Sequence, residues 1–347
     1  MGPLRGKSFL TIGSARVTGA SSTAPRVSIM IPVAANPVHL AACLRSLERC
    51  MPMDVTFEVI LVLNSPTDYL AVLAESTIET RVIAASTNLG LAGAGNRARA
   101  EARGEFLVLL HDDAQIEQGW MEALLDAAAN HPRAGAVGCK VLFPDGRLQG
   151  AGQILWRDGT TSPPWLGSAP SAGSFAEARA VDYTGTSSLL IRSATWDSVG
   201  GLDEQFFPVY YVDVDLAMKI RSRGQFVLYE PRARIRHHQG ASGDLRWRWF
   251  VTYRNRAFFL AKWRAKLEDH EVRVKGSQEA IESAMHRAAL FAARVEANKS
   301  LAPDPRDRAS FVPFDSAQQE RRALQMALDL SHEYAEALES GWTPPTA

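Results

Sequence analysis

Phe106-Leu107-Val108-Leu109-Leu110-His111-Asp112-Asp113-Ala114 is an apolar run that stops on a histidine and two acids. Five apolar residues without alternation read as a strand buried on both faces, the kind found in parallel sheets under helices. Carboxylates at the end of such a strand stand at the carboxyl edge of an open α/β sheet, where these folds bind ligands. Two acids in a row are common, and as first-turn residues they would merely favour a helix N-terminus. Their weight depends on what surrounds them.

Upstream, residues 27–33, 55–63 and 81–85 are further apolar runs. Between them, residues 38–49 show helical spacing through Leu40, Cys43, Leu44 and Leu47. Asn88-Leu89-Gly90-Leu91-Ala92-Gly93-Ala94-Gly95-Asn96 forms a glycine-rich loop into an alanine-rich helix, and residues 120–129 read as the next helix. Strands alternating with helices predict parallel pairing with right-handed crossovers, hence a doubly wound sheet. From about 135 to 240 the pattern changes to short strands (136–143, 153–156, 187–191, 226–229) among turn residues, with a long irregular loop at 159–173. Helical stripes return at 278–298 and 317–340, the latter with a capping box from Ser316 to Gln319. The expected organisation is a disordered leader at 1–25, an α/β domain at 26–245 and a helical C-terminal extension at 246–347.

A chain of 347 residues can bury a substantial core. Lysine plus arginine balances aspartate plus glutamate at 38 each, so no global field draws the protein to nucleic acid. The charge is unevenly placed. No acid precedes Glu48, whereas residues 246–266 hold Arg246, Arg248, Arg254, Arg256, Lys262, Arg264 and Lys266 among aromatics. Such a helix suits peripheral contact with a membrane surface, or packs on the core with a solvated basic face. Three cysteines (Cys43, Cys50, Cys139) argue for a reducing, cytoplasmic setting, including the inner membrane face, and against a disulfide framework or zinc site. No apolar run approaches the ~18 residues that span a bilayer. The acid-free leader carries arginines but lacks an apolar signal core, leaving a transit peptide as its alternative reading.

Three further segments give the acid pair its context. They are Gly200-Gly201-Leu202-Asp203-Glu204-Gln205-Phe206-Phe207, Tyr210-Tyr211-Val212-Asp213-Val214-Asp215-Leu216, and His237-His238-Gln239-Gly240-Ala241-Ser242. In this order and spacing the set resembles glycosyltransferase family 2, particularly its rhamnosyltransferase-like members, over roughly residues 26–265. The resemblance implies a GT-A fold with a mostly parallel central sheet flanked by helices, here with an appended C-terminal helical segment. It also implies a metal-dependent inverting transferase that moves a sugar from a nucleotide-sugar donor to a glycan, lipid-linked or other hydroxyl acceptor. Mn2+ or Mg2+ is the implied cofactor.

Carried over residue by residue, Asp113 matches the acid that ligates the metal, with His237 as a late ligand and the neighbouring His238 as its alternative. Asp213 matches the base that takes the acceptor proton, a role inverting transfer needs; its alternative is a helix cap. Donor-nucleotide contacts fall to Pro32, Asn64, Asn88, Gly90, Asn96, His111 and Asp112, and the acceptor side to Gly185, Thr186, Ser187 and Asp215. The chain departs from the family pattern in four places. His111 replaces the first acid of the metal motif, where an imidazole ligates the metal, contacts the ribose or reflects a different donor. Val212 replaces a glutamate, Leu63 stands where an aspartate reads the base, and Ala34-Ala35 lacks the usual aromatic and amide. These changes keep a catalytically silent domain that binds glycans or partners in play. A sugar nucleotidyltransferase is the other rival, though Ala34-Ala35-Asn36-Pro37 lacks the glycine-rich basic loop it would need.

Overall fold

The computed structural model describes residues 24–34, 36–64, 69–169, 175–238, 244–298, 311–312 and 315–344. Strands β1 (Val27–Val33), β2 (Phe57–Leu63), β3 (Thr80–Ala84) and β4 (Phe106–Leu110) pair in parallel in the order β3-β2-β1-β4. Helices α1 (Pro37–Cys50), α2 (Leu70–Glu75) and α3 (Gly90–Glu101) make the crossovers. Asn36 caps α1 by accepting from Val38 N at 2.9 Å, with Pro37 at the first helical position, where its missing N–H costs nothing.

Beyond β4 come β5 (Ala114–Ile116), α4 (Trp120–Asn130), β6 (Ala134–Leu142), β7 (Leu148–Gly150), β8 (Ile154–Leu155), β9 (Thr161–Ser162), β10 (Arg179–Val181) and β11 (Ser188–Arg192). Then follow α5 (Ser193–Ser198), α6 (Val212–Ser222) and β12 (Phe226–His237). The main sheet runs β10-β12-β6-β11-β4-β1-β2-β3, with β11 and β10 antiparallel to their neighbours. Side chains alternate between two cores, as the two-residue strand period requires. Met30, Ile60, Leu107 and Leu109 enter one, while Ile29, Ile31, Leu61 and Val108 enter the other.

Two elements differ from the sequence-based expectation in ways that matter for the site. Strand β12 continues to His237 instead of ending near Tyr229, because Glu230-Pro231-Arg232 forms a register shift within the strand rather than a stop. Part of the stretch expected as a loop, 159–173, carries β9, paired with β8; residues 170–173 lie outside the described residues, as do most of the leader and Gly240-Ala241-Ser242.

Helices α7 (Leu245–Trp263), α8 (Gln278–Ala297) and α9 (Ser316–Glu339) close the chain. Val251 and Phe259 of α7 and Ala323 and Leu330 of α9 join one core, and Ala292 and Val295 of α8 the other, so packing is continuous across residue 245. The expected capping box is replaced: Asp315 caps α9 by accepting from Ala317 N, which frees Gln319 to reach Gly93 O and Glu204 Oε1. No described helix is long and apolar enough to cross a membrane.

Candidate active site

Strand pairing assembles the site. Because β11 runs antiparallel to β4, residues 185–187 lie beside the acids, and His111 N donates to Ser187 O at 3.1 Å. Because β5 pairs with the far end of β12, His237 stands opposite Ala114, and His238 N donates to Asp113 O at 3.2 Å. His237 Nε2 therefore lies 3.0 Å from Asp113 Oδ1 and 3.3 Å from His111 Nδ1. The ligating atoms of His111, Asp113 and His237 all fall within 4.8 Å of one another. His238 turns away, stacking on His39 and reaching Gln115, so the two adjacent histidines have different work.

The hydrogen bonds around this trio orient it toward a cation. Gln149 donates from Nε2 to His237 O at 3.0 Å, which leaves its Oε1 to meet His237 Nδ1 at 2.6 Å. An amide oxygen needs a proton from the ring, so Nδ1 carries hydrogen and Nε2 is the nitrogen turned to Asp113 and His111, a ligand atom whenever a cation replaces its proton. His111 Nε2 contacts Thr186 Oγ1 at 3.3 Å, and with Nε2–H donated there its Nδ1 lone pair joins the same point. Burial, then repulsion from His237, pushes His111 down to about 4, so it is a neutral ligand at neutral pH. Burial alone would raise Asp113; a proton on His237 Nε2, through its hydrogen bond and charge, outweighs it in the metal-free site and holds the carboxyl at about 2. Three lone-pair donors thus converge on one point. Neighbouring octahedral ligands at about 2.1 Å from a dication stand about 3.0 Å apart, close to the two short separations seen here. The donor set fits the metal that the family pattern implies.

Asp213 occupies the first turn of α6. Its Oδ1 accepts from Val214 N at 2.9 Å, while a Cβ placed on Gly185 would lie 3.9 Å from its Oδ2. Gly185 is one residue from Thr186, which touches His111, so Asp213 and the trio flank the same three-residue segment. Desolvation by burial raises Asp213 to about 6, with only backbone hydrogen bonds opposing it. A carboxyl tuned upward beside a metal-competent cradle is suited to accept a proton near neutral pH.

Several of the expected residues have hydrogen-bond or ion-pair partners within the fold. Asp215 is fully buried: its Oδ1 accepts from Trp263 Nε1 and Lys262 Nζ, both at 2.7 Å, and its Oδ2 lies 3.5 Å from Lys219 Nζ. It ties α7 to α6. Removing its charge should leave the largely buried Lys219 ammonium without its carboxylate while Lys262 keeps Asp203, so Asp215→Asn is expected to lose about 1–3 kcal/mol of stability in denaturant titrations. The acceptor KM of the folded fraction should be unchanged. Asn96 bonds Leu202 O, Leu202 N and Glu204 Oε1, holding the 201–204 turn. Asn64 accepts from Leu89 N and donates to Gly90 O, and Asn88 accepts from Gly90 N, so both shape the glycine-rich loop. Gly90, at φ +67°, lets that loop lie on Phe207 and Pro208. Pro32 is buried opposite Val62 in β1, and Asp112 accepts from Ala34 N at 2.7 Å, bracing the ends of β4 and β1.

Residues that the sequence reading gave no individual role hold the turn before α6. Tyr210 and Tyr211 adopt left-handed conformations, φ 70° and 65°, immediately before α6. Each costs about 1–2 kcal/mol for a non-glycine residue. Asn255 of α7, fully buried, offsets this: its Nδ2 donates to Phe206 O, Val209 O and Tyr210 O at 2.8–3.2 Å. Asn255→Asp, which loses the donor but keeps the shape, should be as damaging as Asn255→Ala in thermal melts, since each leaves buried carbonyls unpaired at about 1–3 kcal/mol apiece. A stable Asn255→Asp protein would contradict this role.

Comparison with known proteins agrees with the geometry. The model of the family described as "Glycosyl transferase family 2" matches residues 28–197. The chain is 30% identical over 227 residues to the N-acetylglucosaminyl-diphospho-decaprenol L-rhamnosyltransferase of Mycobacterium tuberculosis, covering 59% of this chain and 73% of that protein. It is also 30% identical over 227 residues to the O-antigen biosynthesis protein RfbC of Myxococcus xanthus, covering 63% of this chain and 18% of that protein. The fold is shared with GalNAc-T7, solved with UDP, GalNAc and Mn2+, at TM-score 0.56 and 14% identity over 72% of this chain and 50% of that one. The protein is thus an α/β chain of GT-A architecture, and it belongs to glycosyltransferase family 2. It spans a quarter or less of two of the curated relatives it matches.

Proposed function

We propose that this protein is a metal-dependent inverting glycosyltransferase, moving a sugar from a nucleoside-diphosphate donor to a hydroxyl of a glycan or lipid-linked acceptor. The observation that carries this reading is the adjacency of two half-sites across residues 185–187. On one side stand the converging lone pairs of His111, Asp113 and His237; on the other is the Asp213 carboxyl, raised to about 6. A dication, when bound, neutralises charge on the diphosphate leaving group. Gln149 and Thr186 keep the two imidazoles oriented. Asp213 takes the proton of the acceptor hydroxyl as its oxygen bonds to the anomeric carbon and the bond to the diphosphate breaks on the opposite face. Gly185, Thr186 and Ser187 form the floor on which the acceptor lies.

The Mycobacterium relative is named for a diphospho-decaprenol acceptor, which supports a lipid-linked acceptor. Membrane contact through 246–266 would rest on Arg246, Arg264 and Lys266, which are exposed. Arg254, Arg256 and Lys262 instead pair with Glu333, Asp158 and Asp203.

The test is a thermal-shift screen of UDP, GDP, dTDP and CMP with and without manganese, followed by donor hydrolysis. A ligand at a hundred times its dissociation constant stabilises by about 2.7 kcal/mol, well within reach of such a screen. The expected result is a manganese-dependent shift with little preference for uracil over thymine, since Leu63 offers the base no hydrogen bond. Absence of both shift and hydrolysis would favour a silent binding domain.

A further inference from the structure

His111 stands where the family pattern carries an acid, and it changes the chemistry of the cradle. We infer that the centre selects first-row transition dications, Mn2+ and more tightly Co2+, Ni2+ and Zn2+, against Mg2+, because His111 makes it a site of two imidazoles and one carboxylate. This deepens the proposed metal-dependent reading of the same site and rests on it.

The argument is one of donor count. Mg2+ demands near-octahedral oxygen ligands and gives up water reluctantly. Among the described residues only Asp113 supplies an anionic oxygen to the shared point; Asp112 lies outside the cluster, with its Oδ2 turned to Ala34 N at 2.7 Å. The other two donors are nitrogen. Imidazole suits the later first-row ions, whose affinities rise from Mn2+ through Co2+ to Ni2+, and two histidines with one carboxylate leave open positions for added oxygen ligands. Those positions are where diphosphate oxygens would bind. Neither imidazole is incidental to the cradle. His237 is locked by the double contact with Gln149, and His111 by Thr186 on its far nitrogen and by its own backbone N–H on Ser187 O. An acid at position 111 would add charge and hard oxygen; the histidine removes both.

The experiment uses the full chain, stripped with chelator and titrated with MgCl2, MnCl2, CoCl2 and NiCl2 without nucleotide. Binding is read by thermal shift and, for manganese, by loss of the free-ion electron paramagnetic resonance signal, with Asp113→Asn as the blank for ions bound elsewhere. Wild type should bind Mn2+ at least about tenfold more tightly than Mg2+, with Co2+ and Ni2+ tighter still. His111→Asp should shrink the Mn2+ to Mg2+ ratio several-fold by gaining Mg2+. His111→Asn, which keeps a polar side chain but loses the imidazole, should weaken Ni2+ and Co2+ more than Mg2+. Equal wild-type binding of Mn2+ and Mg2+, or a ratio that neither variant changes, overturns the selectivity while leaving a metal site standing. Wild type that binds none of the four ions overturns the metal-dependent reading itself.

Discussion

Asp213→Asn is expected to lower turnover by about 10²–10⁴-fold, the usual contribution of a positioned general base, with donor affinity and its manganese dependence unchanged. Asparagine keeps the shape and can still accept from Val214 N through its amide oxygen, so a capping role alone would leave activity intact. In wild type the acid limb of the kcat/KM profile should fall near pH 6, where burial has moved the carboxyl. The same shift has a stability consequence of definite sign. The folded protein favours protonated Asp213, so that contribution is complete below the ordinary value of 3.8 and is lost as pH rises through about 6. The asparagine variant should therefore unfold later than wild type at pH 8 and match it below pH 4. Full activity in Asp213→Asn, or a wild-type profile flat through pH 6, would remove the base from this position.

Asp113→Asn is expected to abolish the manganese-dependent response to nucleotide. Asp113 is the one carboxylate in the trio, and a neutral amide is a poor ligand for a dication. Fold should survive, because the amide can still hydrogen-bond His237 Nε2, the partner now 3.0 Å away. The discriminating measurement is the difference in nucleotide-induced thermal shift with and without manganese. A variant that keeps that difference would show that the metal lies elsewhere.

The legibility of this protein divides along a physical line. Apolar runs without alternation and the loop-to-helix glycines made the parallel half of the sheet readable, because burial on two faces and the backbone freedom of glycine act locally. Helices α8 and α9 were equally readable from their apolar stripes, within a residue or two of Gln278–Ala297 and Ser316–Glu339. The family resemblance named Asp113, Asp213 and His237; in the fold His237 lies 3.0 Å from Asp113, and Asp213 borders Gly185. Residue type alone could not say where polar side chains of the same chemistry would point. Asp213 and Asp215 sit two residues apart on α6, yet one borders Gly185 and the other is buried under Lys262 and Trp263. Asn96, read as a nucleotide contact, is instead held by Leu202 and Glu204, more than a hundred positions away. Gln149 carried no motif, and Asn255 lay in a helix read only for its aromatic and basic residues, since each acts only through a partner that the sheet register or the packing of α7 delivers. By itself the sequence determined the parallel strands, the long helices and the chemical kinds of residue offered to the site. Only the tertiary structure decided which atoms converge, because hydrogen-bond direction and desolvation depend on neighbours that chain order does not specify.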